Sequence, residues 1–303
     1  MPTKQLKKEN DKQLALGCMR INALNVSDAE KLILDAVDKG ITLFDHADIY
    51  GNRECEIIFG EILKRNPDLR ARIRIQSKCG ICNGYYDLSK EHIIKQTLES
   101  IRLLNCDYLD ILLLHRPDSL VDYQEVNDAF DYLYQNGLVK EFGLSNVNSW
   151  QLELYKKFVK YPIRYNQIQF SIVHSHLISH GLFVNMSDNE AADHSSGLIE
   201  YCQLNDIQIQ AWSPLMASWA DGSFIDNPKY SKLNEELEVL AQKYQVSKNT
   251  IAISWILRHP ANIMPILGTT NFSHLHELVK AKDIKLERKE WYSLYLAAGH
   301  YLP

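Results

Sequence analysis

Tyr108-Leu109-Asp110-Ile111-Leu112-Leu113-Leu114-His115 is apolar at nearly every position before it closes on a histidine. A strand with one wet face alternates apolar and polar side chains, whereas a parallel strand covered on both faces has no polar side to show. The stretch therefore predicts a buried strand in a parallel sheet. Its flanks agree, because amphipathic helices are predicted over 89–104 and over 122–136, the second stopped by Gly137.

Outward from this unit the same alternation fills the chain. Strands are predicted at 13–17, 41–45, 73–78, 141–145, 165–170, 208–212 and 263–267, and helices at 53–66, 148–158, 197–205, 232–244, 247–258 and 273–281. Ser27-Asp28-Ala29-Glu30 has capping-box spacing and opens a further helix, whose apolar stripe is Ala29, Leu32, Ile33, Ala36 and Val37 before Gly40 ends it. With eight strands alternating with helices in 303 residues, the expectation is a (β/α)8 TIM barrel in the α/β class. Residues 287–298 read as an extra C-terminal helix, and long loops follow the third, sixth and seventh strands on the C-terminal face. No linker or repeat divides the chain, so residues 1–303 are expected to form one domain.

Composition narrows the partners. A net charge of −5 with interspersed signs gives no basic field for nucleic acid or anionic membrane. The first ten residues carry no apolar run resembling a signal peptide, and no later stretch is long enough to span a bilayer. The six cysteines lack a framework spacing, which suits a reducing compartment. A cytoplasmic protein acting as a monomer on a small molecule is expected.

In a barrel the chemistry sits where strands end at the C-terminal rim. The polar residues predicted there are Asp45, Lys78, His115, Ser145 and Asn146, each at or just after the end of an apolar strand. Ile41-Thr42-Leu43-Phe44-Asp45-His46-Ala47-Asp48-Ile49-Tyr50-Gly51 adds a phenol on the turn that follows the second strand. A phenol titrates near pH ~10 and donates a proton at neutral pH only if a cation stabilises its phenolate. An ammonium at ~4 Å in an effective dielectric of ~20 is worth about 4 kcal/mol, which would bring Tyr50 near neutrality. Asp45 would keep Lys78 charged, and neutral His115 would orient a carbonyl oxygen. The proton would go to an oxygen forming from a carbonyl, and hydride is the natural partner for that step. Singly, these residues read as helix caps, a solvated lysine and a turn histidine. Together with Tyr50, at the ends of successive strand units, they are harder to dismiss.

The motifs Phe44-Asp45-x4-Tyr50-Gly51, Ser77-Lys78, Leu113-Leu114-His115-Arg116-Pro117-Asp118, Phe142-Gly143-Leu144-Ser145-Asn146, Asn166-Gln167, Ala211-Trp212-Ser213-Pro214-Leu215 and Pro265-Ile266-Leu267-Gly268-Thr269-Thr270 follow in this order. Jointly the chain resembles the aldo-keto reductase superfamily, and the Leu-His-Arg-Pro-Asp form resembles its bacterial YdhF-like oxidoreductase branch. The resemblance implies a carbonyl reductase or alcohol dehydrogenase using NADP (NADPH), with Tyr50 as proton donor and Asp45, Lys78 and His115 completing a tetrad. It implies that Gly17, Cys18, Met19 and Asp45 border the cofactor, that Ser145, Asn146 and Gln167 hold the nicotinamide carboxamide, and that Trp212 stacks on the ring. Ser213, Pro214 and Leu215 would contact the pyrophosphate, and Gly268, Thr269, Thr270, His274 and Glu277 the adenosine end. That last segment has neither Lys nor Arg for a 2′-phosphate, His274 stands at the usual arginine position, and Leu278 replaces an Asn often found near the adenine. NADH use is therefore possible.

Weaker signals remain. Cys79-Gly80-Ile81-Cys82 has redox or zinc spacing but no second pair, and no metal site is expected. His174, His176, His180 and His194 mark the long loop after the sixth strand, expected to be solvated and to shape the substrate mouth. Tyr85, Tyr86, Trp219 and Phe224 would either line an apolar pocket or pack the loops down. Two rival functions stand beside the reductase. Lys78 could form a Schiff base as in an aldolase, or the barrel could bind cofactor as a regulatory subunit with little turnover.

Overall fold

The computed structural model describes residues 12–187, 189–192 and 196–303. The first ten residues, on which the signal-peptide expectation rested, and His194 lie outside them. All eight predicted strands form, as β1 Ala15–Gly17, β2 Leu43–Asp45, β3 Arg74–Cys79, β4 Leu109–Leu114, β5 Val139–Ser145, β6 Ile163–Gln169, β7 Gln208–Trp212 and β8 Met264–Leu267. They pair in parallel around a closed ring, β1 bonding to β8 on one side and β2 on the other. Two neighbouring registers matter for the site: Lys78 lies beside Leu113, and Ser145 beside Gln167.

Two apolar layers hold the ring. Ala15, Leu43, Ile111, Leu113, Tyr165, Met264 and Ile266 form the cluster of inward side chains, and the opposite strand faces pack on the helices. The polar exception in β4, Asp110, is tolerated because its carboxylate accepts the Ile75 N–H and pairs with Arg70, both at 2.9 Å. Gly143 in β5 is required by crowding: a Cβ there would lie 2.6 Å from Leu113 Cδ2 and 2.7 Å from Tyr165 Cβ.

The helices follow the sequence pattern, with instructive differences. The first, Val26–Asp38, is capped by the Asn25 side chain, which accepts from the Asp28 N–H. Ser27 falls inside the first turn, so the expected Ser27–Glu30 capping box does not form. The stretch expected to be a solvated histidine loop carries the helix His176–Leu182. Its Ile178, Ser179 and Phe183 are buried, and the Ser179 hydroxyl lies 2.7 Å from the Tyr295 hydroxyl. The extra C-terminal helix, Arg288–Ala297, is present. Trp291 on it stacks on Trp255 with centroids 4.6 Å apart, each indole N–H donating to the other residue's carbonyl. Of the mouth aromatics, Phe224 is fully buried and packs its loop, while Tyr85, Tyr86 and Trp219 are exposed. Among the described residues, no helix is long and apolar enough to cross a membrane.

Candidate active site

Three segments meet at the C-terminal rim. β2 ends on Asp45, β3 carries Lys78, and the chain after β2 turns through a 3-10 helix, Tyr50–Arg53, that presents the phenol. The turn needs Gly51 at φ 55°, where a Cβ would also meet the Asn22 side chain at 2.7 Å. Lys78 is fully buried, and its Nζ donates to the Asp45 carboxylate at 2.8 Å, the His46 carbonyl at 2.8 Å and the Tyr50 hydroxyl at 2.9 Å. All three ammonium protons are thereby used. His115 follows β4, and its ring stands edge-on to Tyr50 with centroids 6.1 Å apart. Its Nδ1 is buried without a protein partner.

Charge states follow from burial and neighbours. Burial opposes the charge on Lys78, yet the Asp45 carboxylate and the Tyr50 oxygen outweigh it, and the ammonium titrates above its ordinary value. Burial, then Lys78 and Arg116, drives the His115 imidazole well below the usual histidine range, so it is neutral at pH 7. Tyr50 differs from the sequence expectation. Burial raises its pKa more than Lys78 lowers it, and Asp45 raises it further, so the phenol is not brought toward neutrality but stays protonated. The sequence showed the cation and the carboxylate beside it; it did not show the desolvation, which is the largest effect on the phenol.

Beneath Asp45 lies a buried amide network. The Asp45 carboxylate accepts from Gln76 and from Gln167, the latter at 3.0 Å, and Gln76 and Gln167 both donate to Gln210 Oε1 at 3.0 Å. Gln76 and Gln210 went unremarked in the sequence. The available signal was a glutamine directly after an isoleucine in the middle of a strand, Ile75-Gln76 and Ile209-Gln210.

On the far side Ser145, Asn146, Gln167 and Trp212 form one wall. The Ser145 hydroxyl donates to the Gln167 carbonyl at 2.8 Å, Asn146 Nδ2 donates to Ser145 Oγ at 2.8 Å, and the Trp212 indole donates to Asn146 Oδ1 at 3.0 Å. Asn166, one residue before Gln167 in β6, turns to the opposite face of the sheet, where its amide donates to the Val147 carbonyl at 2.9 Å. The Arg116 guanidinium lies 5.8 Å from the Trp212 ring centre. Gly17 and Cys18 continue the rim from β1, the Cys18 N–H donating to the Asp45 carbonyl at 2.9 Å, with Met19 exposed beyond them.

The adenosine-end candidates gather at the helix Phe272–Val279, whose N-cap Asn271 accepts from the His274 N–H. His274 is exposed, and Glu277 pairs with Lys280. Leu278 is buried in the core. Arg20, from the loop after β1, sets its guanidinium 2.6 Å from the Gly268 carbonyl and brings this segment a cation that its own sequence lacks.

A phenol, an ammonium, a carboxylate and an imidazole at the C-terminal rim of a closed parallel barrel define a class of site suited to acid–base work on a small molecule. The aldo/keto reductase family profile matches residues 13–295, and the chain belongs to that family. The oxidoreductase YdhF of Escherichia coli (strain K12) is 33% identical over 300 residues, covering 95% of this chain and 94% of that protein. A 6-dehydroglucose reductase of Agrobacterium fabrum is 33% identical over 270 residues, covering 86% of this chain and 84% of that one. An aldo-keto reductase from Klebsiella pneumoniae, solved in complex with NADPH, shares the fold with a TM-score of 0.73 at 20% identity, over 93% of this chain and 89% of that one.

Proposed function

We propose that this protein is an NADPH-dependent reductase that converts an aldehyde or ketone to the alcohol, with Tyr50 as the proton donor. The observation that carries the reading is the 2.9 Å contact between Lys78 Nζ and the Tyr50 hydroxyl, with Asp45 at 2.8 Å on the same ammonium. NADPH, when bound, supplies the hydride that goes to the carbonyl carbon. Tyr50 gives its proton to the carbonyl oxygen as negative charge develops there, and the adjacent ammonium stabilises the phenolate left behind. Asp45 keeps Lys78 charged and aimed. Neutral His115 holds the carbonyl oxygen against Tyr50. The family membership and the NADPH complex of the Klebsiella relative support the cofactor.

The chain's own residues fit that cofactor. Ser145, Asn146 and Gln167 offer a polar wall for a carboxamide, and Trp212 is a ring platform fixed by Asn146. Ser213, Pro214 and Leu215 would border the pyrophosphate, with Gly17, Cys18 and Met19 across from them. Gly268, Thr269, Thr270, His274 and Glu277 would take the adenosine end. Without Lys or Arg in that segment, the 2′-phosphate falls to Arg20, and the preference for NADPH over NADH should be modest. Residues 1–303 are read as one domain acting as a monomer.

A Schiff base on Lys78 is disfavoured, because the lysine must lose its proton and Asp45 opposes that. The test is cofactor oxidation by the pure protein, NADPH against NADH, over aliphatic, aromatic and hydroxylated carbonyls. Alcohol formed in step with NADPH consumed is expected. Tight cofactor binding with no oxidation across the panel would overturn the reading in favour of a regulatory barrel.

A further inference from the structure

The loop that leaves β3 beyond Lys78 holds a second cluster of reactive side chains, independent of the one above. It folds into a narrow hairpin: Ile81 bridges Tyr86, the Cys82 N–H donates to the Tyr85 carbonyl at 2.9 Å, and the Asp87 N–H donates to the Gly80 carbonyl at 3.0 Å. Asp87 Oδ1 accepts the Ser89 N–H at 2.9 Å, and Ser89 caps the helix Lys90–Leu103 by accepting the His92 N–H. Hairpin and helix start are thus locked together. They place Cys82 Sγ 3.8 Å from His92 Nε2, and Asp87 Oδ2 3.5 Å from His92 Nδ1. The carboxylate addresses one end of the imidazole and the thiol the other.

We propose that Cys82 is a nucleophilic thiol, activated by His92 and oriented through Asp87, that exchanges with disulfides of small thiols. The order thiol, imidazole, carboxylate is that of an activated nucleophile, in which the base is itself held by a third group. Burial first, and then Lys95 and Arg53, hold the His92 pKa below its ordinary value while Asp87 pulls it up, so the ring is a free base at neutral pH. The Cys82 side chain is also close enough to Tyr85 to raise the pKa of that phenol. A metal centre fits less well. Cys82, Asp87 and His92 each bring a ligand atom within 4.8 Å of the others, but the cluster holds three groups where a closed structural zinc site takes four.

His92 Nε2 takes the Cys82 proton, and the thiolate attacks one sulfur of the disulfide. The new bond joins Cys82 Sγ to that sulfur, the old S–S bond breaks, and the departing thiolate takes the proton from His92. Cys82 is oxidised to a mixed disulfide as the co-reactant is reduced to one thiol. The same chain supplies its own reference. Cys106 is the other partly accessible cysteine, but burial pushes its thiol up to about 12. Cys18, Cys55, Cys79 and Cys202 are buried.

The experiment exposes the full-length protein to glutathione disulfide and reads adducts by intact mass and peptide mapping. One adduct on Cys82 is expected, forming at least about tenfold faster than on Cys106, reversed by dithiothreitol and lost in Cys82→Ser. His92→Gln should slow it about tenfold, while the Cys106 rate stays fixed as the folding control. Asp87→Asn, which keeps an acceptor for the Ser89 N–H, should shift the rate the same way. Adducts shared between Cys82 and Cys106, or a wild-type rate in His92→Gln, would overturn the proposal. So would a zinc ion retained on Cys82 and His92 that shields the thiol until it is chelated.

Discussion

Lys78 spends its three donors on a carboxylate, a backbone carbonyl and a phenol, all within 2.9 Å, in a place from which water is excluded. Such a pair is poor evidence of stability, since desolvation offsets much of the attraction; its value lies in what it does to Tyr50 and Asp45. Because Tyr50 titrates above its ordinary 10.0 and His115 is neutral well below pH 6.5, the reductive kcat/KM should be level between pH 7 and 9 and fall only on the far alkaline side. A rise or fall centred near neutrality would show that one of the two is titrating in the working range. Asp48 makes a separate point. Burial raises its carboxyl from 3.8 to about 6, and its Oδ1 is buried without a partner. The folded chain holds that proton up to about pH 6 and the unfolded chain releases it near 3.8, so stability is lost as pH rises across this window and the loss is complete at pH 7. Asp48→Asn should therefore stabilise the protein at pH 7 by up to about 3 kcal/mol, a gain that shrinks toward pH 4; thermal melts at the two pH values check it.

At the scale of elements, strands were the most legible feature, because both faces of β4 or β8 are covered and their side chains are apolar without alternation. Helix ends were read to within a residue or two where a cap carried the signal, as at Ser89 and Asn148. At Asn25 the cap lies two residues before the Ser27 expected, because two overlapping patterns competed and the backbone took the earlier. The helix His176–Leu182 was not legible. Its own sequence, with two histidines and a glycine, favours no helix, and what orders it is burial against the C-terminal helix through Ser179 and Tyr295. The amide network was hidden for a similar reason, since Gln76 and Gln210 find each other only once the ring closes. Gly143 tests how tightly that ring is drawn. Gly143→Ala must move β4 or β6, since its Cβ would meet Leu113, Tyr165 Cβ and the Tyr165 carbonyl at 2.6, 2.7 and 2.8 Å. A loss of about 1–3 kcal/mol in denaturant unfolding is expected. Wild-type stability would mean that the strands have room the packing denies.

For the whole molecule, the barrel's work is to bring residues 45, 50, 78 and 115 to one rim, although three separate segments carry them. Their identity could be read from the chain because each lies at or near the end of a predicted strand or on the turn beyond it. Their electrostatics could not, because desolvation is a property of the assembled fold, and it reverses the direction expected for Tyr50. Arg20 on Gly268 is likewise a contact between the two ends of the chain that no local pattern announces. The most direct measurement is the pairing of NADPH affinity with single-turnover carbonyl reduction in Tyr50→Phe. The account predicts cofactor affinity near that of the unaltered protein and reduction slower by roughly 10²–10⁴-fold. Reduction at the unaltered rate, with the phenol's oxygen gone from beside Lys78, would contradict it.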